Sequence, residues 1–459
     1  MTANASVRKH YFTSASNAAP KMHQELEVPS CKGTQWAHTG GSGPPWAVYV
    51  IFEQRWTSIL MALYGAAQFI FAPISGFLSD RIESRWWPMM AGVLTLGAGT
   101  ALLCAGSSIG LWVTGRLLQG AAAATVWSVA CALVVDTVAG DRLGHAMSYM
   151  SMGMTLGNLA GPLTGGAVYE HGGYYAVFIV AFAFIGVDIG LRLLIVEKEQ
   201  ALKFLPLPVT PSSHSITAQA ESGLELAGLD DHDPVSLHPH TGLRGSWELL
   251  SSLRMLIVLW ACVVIAVIVS AFDSVLPLFV QDTYGWEQTA QGLIFIPLLI
   301  PSSLSPIVGW VNDRYPSSRR ILAGGALMMS VPTCVLLRLV EVNDTGHKIL
   351  LCALLLLLGI CMGILFPLVL AESSYAASEK EQETPSMFGK QGATGLAYGF
   401  SNAAYAAGSI AGPFLAGLVR QYAGWSTMSW SLGLLTGASA LPVVLYFGGL
   451  LSWRINPRQ

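Results

Sequence analysis

The sequence predicts an all-α, multi-pass membrane protein built from two repeated helical bundles. Three observations predict this fold class. Eleven apolar stretches are about 20 residues long, the length of a helix that crosses a bilayer. Only 11% of the 459 residues are charged, whereas soluble domains carry about 25%. Two of the apolar stretches also end in polar turns of the same sequence pattern, which indicates a duplicated bundle.

The eleven stretches form a group of five and a group of six. They cover residues 57–78, 87–106, 111–135, 146–168, 174–196, 254–280, 289–310, 321–339, 348–371, 394–418 and 427–449. The segment between the groups is polar and rich in Ser, His and Pro, which is typical of a solvated linker. The predicted domains are an N-terminal tail (1–55), an N-terminal membrane bundle (56–196), a cytosolic linker (197–250), a C-terminal membrane bundle (251–450) and a cytosolic tail (451–459).

Basic residues in the connections predict the orientation, because cytosolic loops carry an excess of Lys and Arg. The connections on the alternate side hold two, Lys348 and Arg420. The other set holds thirteen: Arg81, Arg85, Arg142, Lys198, Lys203, Arg244, Arg314, Arg319, Arg320, Lys380, Lys390, Arg454 and Arg458. The linker, both polar turns and the C-terminus are therefore predicted to be cytosolic. Asn343 begins a glycosylation sequon on the opposite face.

The polar turn occurs as Gly76-Phe77-Leu78-Ser79-Asp80-Arg81 and again as Gly309-Trp310-Val311-Asn312-Asp313-Arg314, 309 − 76 = 233 residues later. A second repeat relates residues 160–174 to residues 411–425. Both repeats pair each stretch with the one six positions later, so the sixth stretch has no partner. We therefore expect one helix before residue 56 to be missing. A mis-assigned first exon or a truncation explains this better than a working eleven-helix design.

On these motifs the chain resembles the major facilitator superfamily, within its drug:H+ antiporter and vesicular-amine-transporter-like branch, particularly the fungal members. Residues 76–85 resemble the loop motif between helices 2 and 3, and residues 309–320 its second-half copy. Gly115-Arg116-Leu117-Leu118-Gln119-Gly120 resembles the helix 4 motif, and residues 153–166 the helix 5 motif of antiporters. The resemblance covers about 56–450 and implies a twelve-helix-type fold, here with eleven helices, whose halves rock around a midplane cavity.

The loop motif predicts a gate between the halves. Gly76 and Gly309 remove side chains where two helices approach closely, and Asp80 and Asp313 are expected at a neighbouring helix N-terminus, where N–H groups are unpaired. Arg81 and Arg85 can hold the first carboxylate, and Arg314 occupies the second copy. In the family this latch favours the outward-open state. Glu83, Trp86 and Trp87 depart from the family pattern, which predicts a weaker latch in the first half. The alternative is a simple polar turn.

Glycine and proline in the fourth and tenth stretches predict helix bends. The residues are Gly157, Gly161, Pro162, Gly412 and Pro413. Proline removes a backbone hydrogen bond and glycine narrows the helix, which gives a bend against which partner helices can rock. The alternative is that such residues are frequent in membrane spans without a special role.

Charged residues inside the stretches are candidates for substrate or proton coupling, because they are costly in a membrane. Arg116 and Asp273 lie at similar depth, one in each half, and we expect both to line one cavity. The alternative for Asp273 is an interfacial acid. Asp188 and Arg192 have the spacing of a structural ion pair. Asp136 and Glu372 are expected as anchors or gate contacts. Candidate cavity contacts are Tyr64, Phe69, Trp127, Met150, Met154, Tyr398 and Phe400, with ordinary helix packing or lipid contact as the alternative.

The resemblance implies proton-coupled export of a small organic compound, such as a drug, toxin or secondary metabolite, at the plasma membrane rather than a vacuolar or vesicular membrane. The alternatives are a vesicular or vacuolar amine antiporter and a transport-inactive relative acting as a sensor or interaction protein. The expected partners are a small-molecule substrate, protons and the lipid bilayer, without nucleic acid. The sequence contains no nucleotide loop, metal cluster or nucleophile–base set, which predicts no cofactor, no metal and no enzymatic activity.

Overall fold

The computed structural model describes residues 45–82, 84–194, 241–286, 288–315, 317–384, 388 and 392–448. These residues form helices and connections, without strands. The α-helices are α1 (Pro45–Ser79), α2 (Trp86–Ala105), α3 (Ile109–Thr137), α4 (Leu143–Leu193), α5 (Thr241–Ser251), α6 (Leu253–Tyr284), α7 (Gln288–Leu293), α8 (Ile296–Leu299), α9 (Ser305–Arg314), α10 (Ser318–Leu336), α11 (Thr345–Glu383) and α12 (Thr394–Tyr446). The predictions for residues 1–44, 195–240 and 449–459 lie outside these residues.

The predicted number of spans is confirmed by the described helices. Nine helical segments are long and apolar enough to cross a membrane. Two of them, α4 and α12, each contain one residue with non-helical backbone angles, Gly173 (φ 74°) and Gly424 (φ 81°). Only glycine adopts such positive φ angles at little cost, so each residue divides its helix into two spans. The nine segments therefore provide eleven spans.

The backbone leaves helical geometry at a different place from the predicted bends. It remains helical at Gly161-Pro162 and at Gly412-Pro413, and departs at Gly173 and Gly424 instead. A membrane helix tolerates the hydrogen bond that proline removes, because neighbouring groups satisfy the freed carbonyl. The two repeat-related breaks coincide with the predicted connections between the fourth and fifth and between the tenth and eleventh stretches.

The seventh stretch is the least regular of the spans. It consists of α7, α8, a 3-10 turn at Ile300–Leu304 and α9. Prolines begin three of these pieces, at positions 297, 301 and 306. Each proline lacks the N–H that a continuous helix would use, which explains why one apolar run forms several short helices.

Two helices extend beyond their predicted limits. Helix α1 begins at Pro45, so the end of the predicted tail is helical. Helix α5 lies at the end of the predicted linker, and Leu249 in it is fully buried against Met255, Ala376 and Leu396. The last part of the linker therefore packs on the membrane bundle rather than standing free in solvent.

Burial is unequal between the halves. Of the most apolar 18 residues, 67% are buried in α6 but only 6% in α4. Gly408 and Gly412 in α12 pack against the backbone of α6 around Val263 and Val267. The repeat-related glycines of α4, Gly157 and Gly161, have no described atom within 4 Å of an added Cβ. The face of α4 that corresponds to the α6-binding face of α12 is thus uncovered in the described structure.

Candidate functional site

The first latch joins Asp80 to the N-terminus of α12. The Asp80 carboxylate accepts hydrogen bonds from the backbone N–H groups of Gly395 at 2.8 Å and Leu396 at 2.7 Å. These donors belong to the first turn of a helix, where N–H groups lack intrahelical partners and the helix dipole favours a negative charge. Because Asp80 follows α1 in the first half, the contact connects the two halves of the protein.

The second latch has the same form. Asp313, near the end of α9, accepts hydrogen bonds from the backbone N–H groups of Gly144 and His145, both at 2.8 Å. These residues form the first turn of α4. The two repeated turns therefore reach across in opposite directions, and both contacts lie at the end of the bundle that is predicted to be cytosolic, which we call the latch end.

The glycines of the repeated turns permit these contacts. A Cβ atom on Gly76 would meet the carbonyl oxygen of Gly395 and would lie 3.1 Å from Cα of Gly399. A Cβ atom on Gly309 would lie 2.5 Å from the carbonyl oxygen of Gly144. Since these neighbours are backbone atoms that cannot rotate away, a side chain at either position would push the paired helices apart.

Arg85, and not Arg81, holds the first carboxylate. The buried Arg85 guanidinium donates to Asp80 at 3.0 Å and to Asp136 at 2.9 Å. Arg81 instead places its guanidinium over the Phe77 ring, 4.3 Å from the ring centroid. Adjacent residues on a helical turn do not face each other, so Arg81 cannot share the direction of Asp80. Asp136 thereby becomes an anchor of the latch, as expected for its position.

In the second half, the arginines surround the buried Glu372 rather than the latch carboxylate. Glu372, which is fully buried, accepts from Arg254 Nε at 2.6 Å and from the Gly448 N–H at 2.8 Å. Arg319 lies 3.8 Å from Glu372, and Arg314 is exposed. Among the described residues no arginine pairs with Asp313. Among the described residues, the latch with an ionic partner is thus the first one, and the predicted weakness of the first latch stays a prediction.

A buried cluster lies next to the latches, and we call it the plug. It consists of Cys131 from α3, Leu143 and Met147 from α4, Leu370 and Ala371 from α11, and Tyr398 from α12. The Tyr398 hydroxyl donates to the carbonyl oxygen of Leu370 at 2.9 Å. Because both halves contribute, the plug closes the latch end of the path between them.

The plug also corrects several predicted cavity contacts. Tyr398 belongs to it, and Trp127 and Met150 pack against it. Phe400 packs against the cluster around Leu249, and Phe69 is exposed. Helix packing accounts for Tyr398, Trp127, Met150 and Phe400, whereas Phe69 lies on the surface.

A small cavity of about 50 Å³ lies between the halves beyond the plug. Met154 is the predicted contact that does line it. Tyr405, which the sequence interpretation missed, contributes a phenol from α12. The full lining is Ser151, Met154, Thr155, Asn158, Ile265, Val269, Leu298, Leu299, Ser302, Met362, Phe366 and Tyr405. The spacing of Asn402, Tyr405 and Ser409 along one helix face could have indicated Tyr405.

Neither of the two predicted coupling residues is among the side chains that line this cavity. Arg116 donates to Gln119 at 3.2 Å and interacts electrostatically with Tyr64. Asp273 is exposed on α6, forms no ion pair with any described residue, and interacts electrostatically with Tyr405. Tyr405 also interacts with Tyr64. No hydrogen bond or ion pair joins Arg116 to Asp273 in the described structure, so the predicted direct coupling of the two stays a prediction.

The remaining predicted sites lie away from the cavity. Arg192 donates to Asp188 at 2.9 Å across one helical turn, which confirms the predicted structural pair. Asn343 is exposed just before α11, and its glycosylation stays a prediction. No group of three or more metal-ligating side chains occurs in the part of the chain that the structure describes.

The first latch predicts a dependence on pH. Burial raises the pKa of Asp80 from 3.8 to about 6, and Arg85 and the two N–H donors only partly oppose this. The latched carboxyl therefore binds a proton more readily than a solvated one. We expect the closed latch to be favoured below about pH 6 and weakened as the pH rises through that value.

This pH dependence can be measured by electron-spin distances between labels at positions 141 and 382. Both positions are exposed at the latch end, one in each half. The distance distribution should shift toward longer values as the pH is raised, and Asp80→Asn should abolish the shift. An unchanged shift in Asp80→Asn would assign the titration to another group.

Comparisons with known proteins agree with this architecture. The family model described as "Major Facilitator Superfamily" matches residues 45–390 and 294–458. An uncharacterized MFS-type transporter, C18.02, of Schizosaccharomyces pombe is 31% identical over 84% of this chain and 84% of its own length. The MFS-type transporter ppzB of Metarhizium majus is 27% identical over 86% of this chain and 91% of its own length.

Matches of lower identity are also membrane transporters. Relatives at 24 to 25% identity include vesicular acetylcholine and amine transporters and putative multidrug resistance proteins. The crystal structure of the human organic anion transporter MFSD10 has the same fold, with a TM-score of 0.58 at 17% identity over 84% of this chain and 83% of that one. The family match, the 31% identical relative and the repeated latches together show that this chain belongs to the major facilitator superfamily, a family of small-molecule membrane transporters.

Proposed function

We propose that this protein is a proton-coupled secondary transporter that exports a small organic compound across the plasma membrane. The observation that carries the proposal is the pair of latches, in which Asp80 and Asp313 each bind a helix N-terminus of the other half. Both contacts must break for the latch end to open, while the cavity lies beyond them. This arrangement supports alternating access, in which a fixed site faces each side of the membrane in turn.

Asp273 is the proposed proton carrier. Its carboxylate has no ion-pair partner among the described residues, and it lies on α6, the helix that supplies Ile265 and Val269 to the cavity wall. Enclosing an unpaired charge between the halves is costly, and a bound proton removes that cost. Protonation from the outer side would therefore permit closure of the cavity, and deprotonation on the cytosolic side would return the site to its charged form. Arg116 would keep the opposite wall positive in both states.

The same carboxylate supports a second candidate, antiport of an organic amine at a vesicular or vacuolar membrane. An ionised Asp273 attracts a protonated amine, and the faces of Tyr405 and Phe366 can stabilise a cation. Vesicular amine transporters are among the lower-identity relatives. A transport-inactive sensor is the remaining alternative, and a flux measurement distinguishes it from both.

Replacing Asp273 tests the proposal. Wild-type protein in lipid vesicles with an imposed pH gradient should move at least one member of a panel of neutral, anionic and cationic organic dyes. Asp273→Asn should reduce gradient-driven flux at least about tenfold, as expected for removal of an essential proton-transfer group. Exchange of dye without a gradient should continue, because that reaction needs no net proton movement.

Asp282→Asn is the matched control on the same helix. Asp282 is exposed and pairs with Arg420 at 2.7 Å, away from the cavity. This variant should retain gradient-driven flux. Full proton-driven flux in Asp273→Asn would remove Asp273 from the mechanism, whereas flux of the cationic dyes alone would favour the amine antiporter. Absence of flux for every dye in the wild-type protein would favour the sensor.

A further inference from the structure

A hydrogen-bonded bridge inside the membrane joins the two halves, separate from the latches. The Gln68 amide Nε2 of α1 donates to Asn402 Oδ1 of α12 at 2.8 Å. The Asn402 Nδ2 group donates to the carbonyl oxygen of Ala124 at 3.3 Å and approaches the Ser128 hydroxyl at 3.5 Å, both in α3. Asn402 is 3% exposed, so its amide is satisfied entirely by groups of the other half.

The bridge has no counterpart where the repeat would place one. The offset of 233 residues that relates Gly76 to Gly309 relates Gln68 to Pro301, and proline carries no side-chain donor. The offset of 251 residues that relates Gly161 to Gly412 relates Asn402 to Ser151. The Ser151 hydroxyl is buried without a hydrogen-bond partner among the described residues.

The two repeat-related contacts between the halves, α1–α12 and α4–α9, are therefore unequal. The α1–α12 contact is fastened by Asp80 at the latch end and by the bridge further into the membrane. In the described part of the α4–α9 contact, the polar interactions between the two helices are the hydrogen bonds of Asp313 and the approach of His145 to the Pro306 carbonyl. All of them lie near the latch end.

The position of the bridge connects it to the cavity. Gln68 is four residues from Tyr64 and Asn402 is three residues from Tyr405, spacings that place each pair on one helix face. Tyr405 lines the cavity between the halves. The bridge thus lies one helical turn from these tyrosines, on the side facing the plug.

We propose that Gln68 and Asn402 are positioning residues that hold α1 and α12 together until the α4–α9 contact has opened, so that the two contacts release in a fixed order. The proposal rests on the alternating-access function above. Opening the latch end separates α12 from α1 and α3 and leaves the Asn402 amide without partners until water reaches it. An unpaired amide in an apolar region is costly, so this contact resists opening longer than its repeat partner.

The test uses Cys131 as a reporter of opening, because this thiol is fully buried in the plug. In a variant whose other cysteines are replaced, a membrane-impermeant maleimide is applied at one fixed pH to vesicles that expose the latch end. Gln68→Leu should increase the rate of Cys131 modification about 3- to 10-fold, the effect expected for one hydrogen bond between membrane helices. Gln68→Leu combined with Asn402→Leu should be no faster than the faster single variant, because both remove the same bond.

Gln291→Leu is the matched control. The Gln291 amide donates to the Trp286 carbonyl at 2.9 Å within the second half, so its loss should leave the labelling rate unchanged. A wild-type rate in Gln68→Leu, or effects of the two substitutions that multiply, would overturn the proposal. Gln68 is only half-buried, so the single variant keeps the test valid even where Asn402→Leu fails to fold. Labelling needs neither substrate nor a proton gradient, so its outcome is independent of whether the protein transports protons.

Discussion

Gly412→Leu is expected to prevent accumulation of folded protein, whereas Gly161→Leu at the repeat-related position should be tolerated. A Cβ atom on Gly412 would lie 2.6 Å from the Val267 carbonyl oxygen and 3.1 Å from the Ala271 nitrogen. Backbone atoms cannot move aside, so the loss of folding free energy should exceed the roughly 1 to 3 kcal/mol that overpacking usually costs. The total folding free energy of a protein is only about 5 to 15 kcal/mol. No described atom lies within 4 Å of a Cβ on Gly161.

The yield of monodisperse, detergent-solubilised protein and its thermal unfolding measure this difference. Gly408→Leu and Gly157→Leu form a second matched pair, since a Cβ on Gly408 would lie 2.7 Å from the Ala266 side chain and one on Gly157 meets nothing described. If Gly161→Leu proved as harmful as Gly412→Leu, the glycine face of α4 would have to be covered in the folded protein.

Asp80→Asn should open the latch end and reduce transport at least about tenfold, with a smaller effect for Asp313→Asn. The side chains of Arg85 and Asp80 are 4% and 8% exposed. The NH2 group of asparagine cannot accept a hydrogen bond, so it places a donor against the Leu396 N–H or the Arg85 guanidinium, whereas a protonated carboxyl keeps acceptor capacity on both oxygens. Leaving a buried donor unpaired costs about 1 to 3 kcal/mol. Arg85 also pairs with Asp136, and this ion pair remains in the variant and limits the loss of stabilisation. Asp313 binds N–H donors without an arginine partner among the described residues, so its neutral amide loses less.

Dye flux in vesicles and the distance between spin labels at positions 141 and 382 measure the two effects together. Asp188→Asn is the control, because its pair with Arg192 lies within one helix and Asp188 is 43% exposed. Such pairs contribute about 0.3 to 0.5 kcal/mol, and both readouts should stay near wild type. An Asp313→Asn variant more impaired than Asp80→Asn would contradict the unequal strength of the latches.

The latches were predictable from sequence because their information is local. A glycine, a carboxylate and a helix end within one short motif indicate a carboxylate at a helix N-terminus, and the repeat indicates that this happens twice. The choice of Arg85 over Arg81 depends on where the chain turns after Ser79, and the pairing of Arg254 with Glu372 joins residues 118 positions apart. No pattern in a single sequence specifies such distant partners.

The bridge and the helix breaks show the same limit. Gln68 and Asn402 are 334 residues apart, and each alone resembles an ordinary polar residue of a membrane helix. The breaks at Gly173 and Gly424 were visible as ends of apolar stretches, but the neighbouring Gly-Pro pairs gave a stronger helix-breaking signal. In the structure the positive φ angles occur at Gly173 and Gly424.

The broken seventh span has a mechanical consequence. Helix α1 runs from Pro45 to Ser79 with one internal proline, Pro73, whereas its repeat partner is divided by three prolines and a 3-10 turn at Ile300–Leu304. A continuous helix transmits force along its length, but a segment with missing hydrogen bonds bends and stretches at low cost. A displacement of α1 would therefore be carried along the helix to Asp80, whereas a displacement of its repeat partner would be absorbed before it reaches Asp313. The two repeats thus form a comparatively rigid helix, α1, in the first half and a more easily deformed segment, the broken seventh span, in the second half.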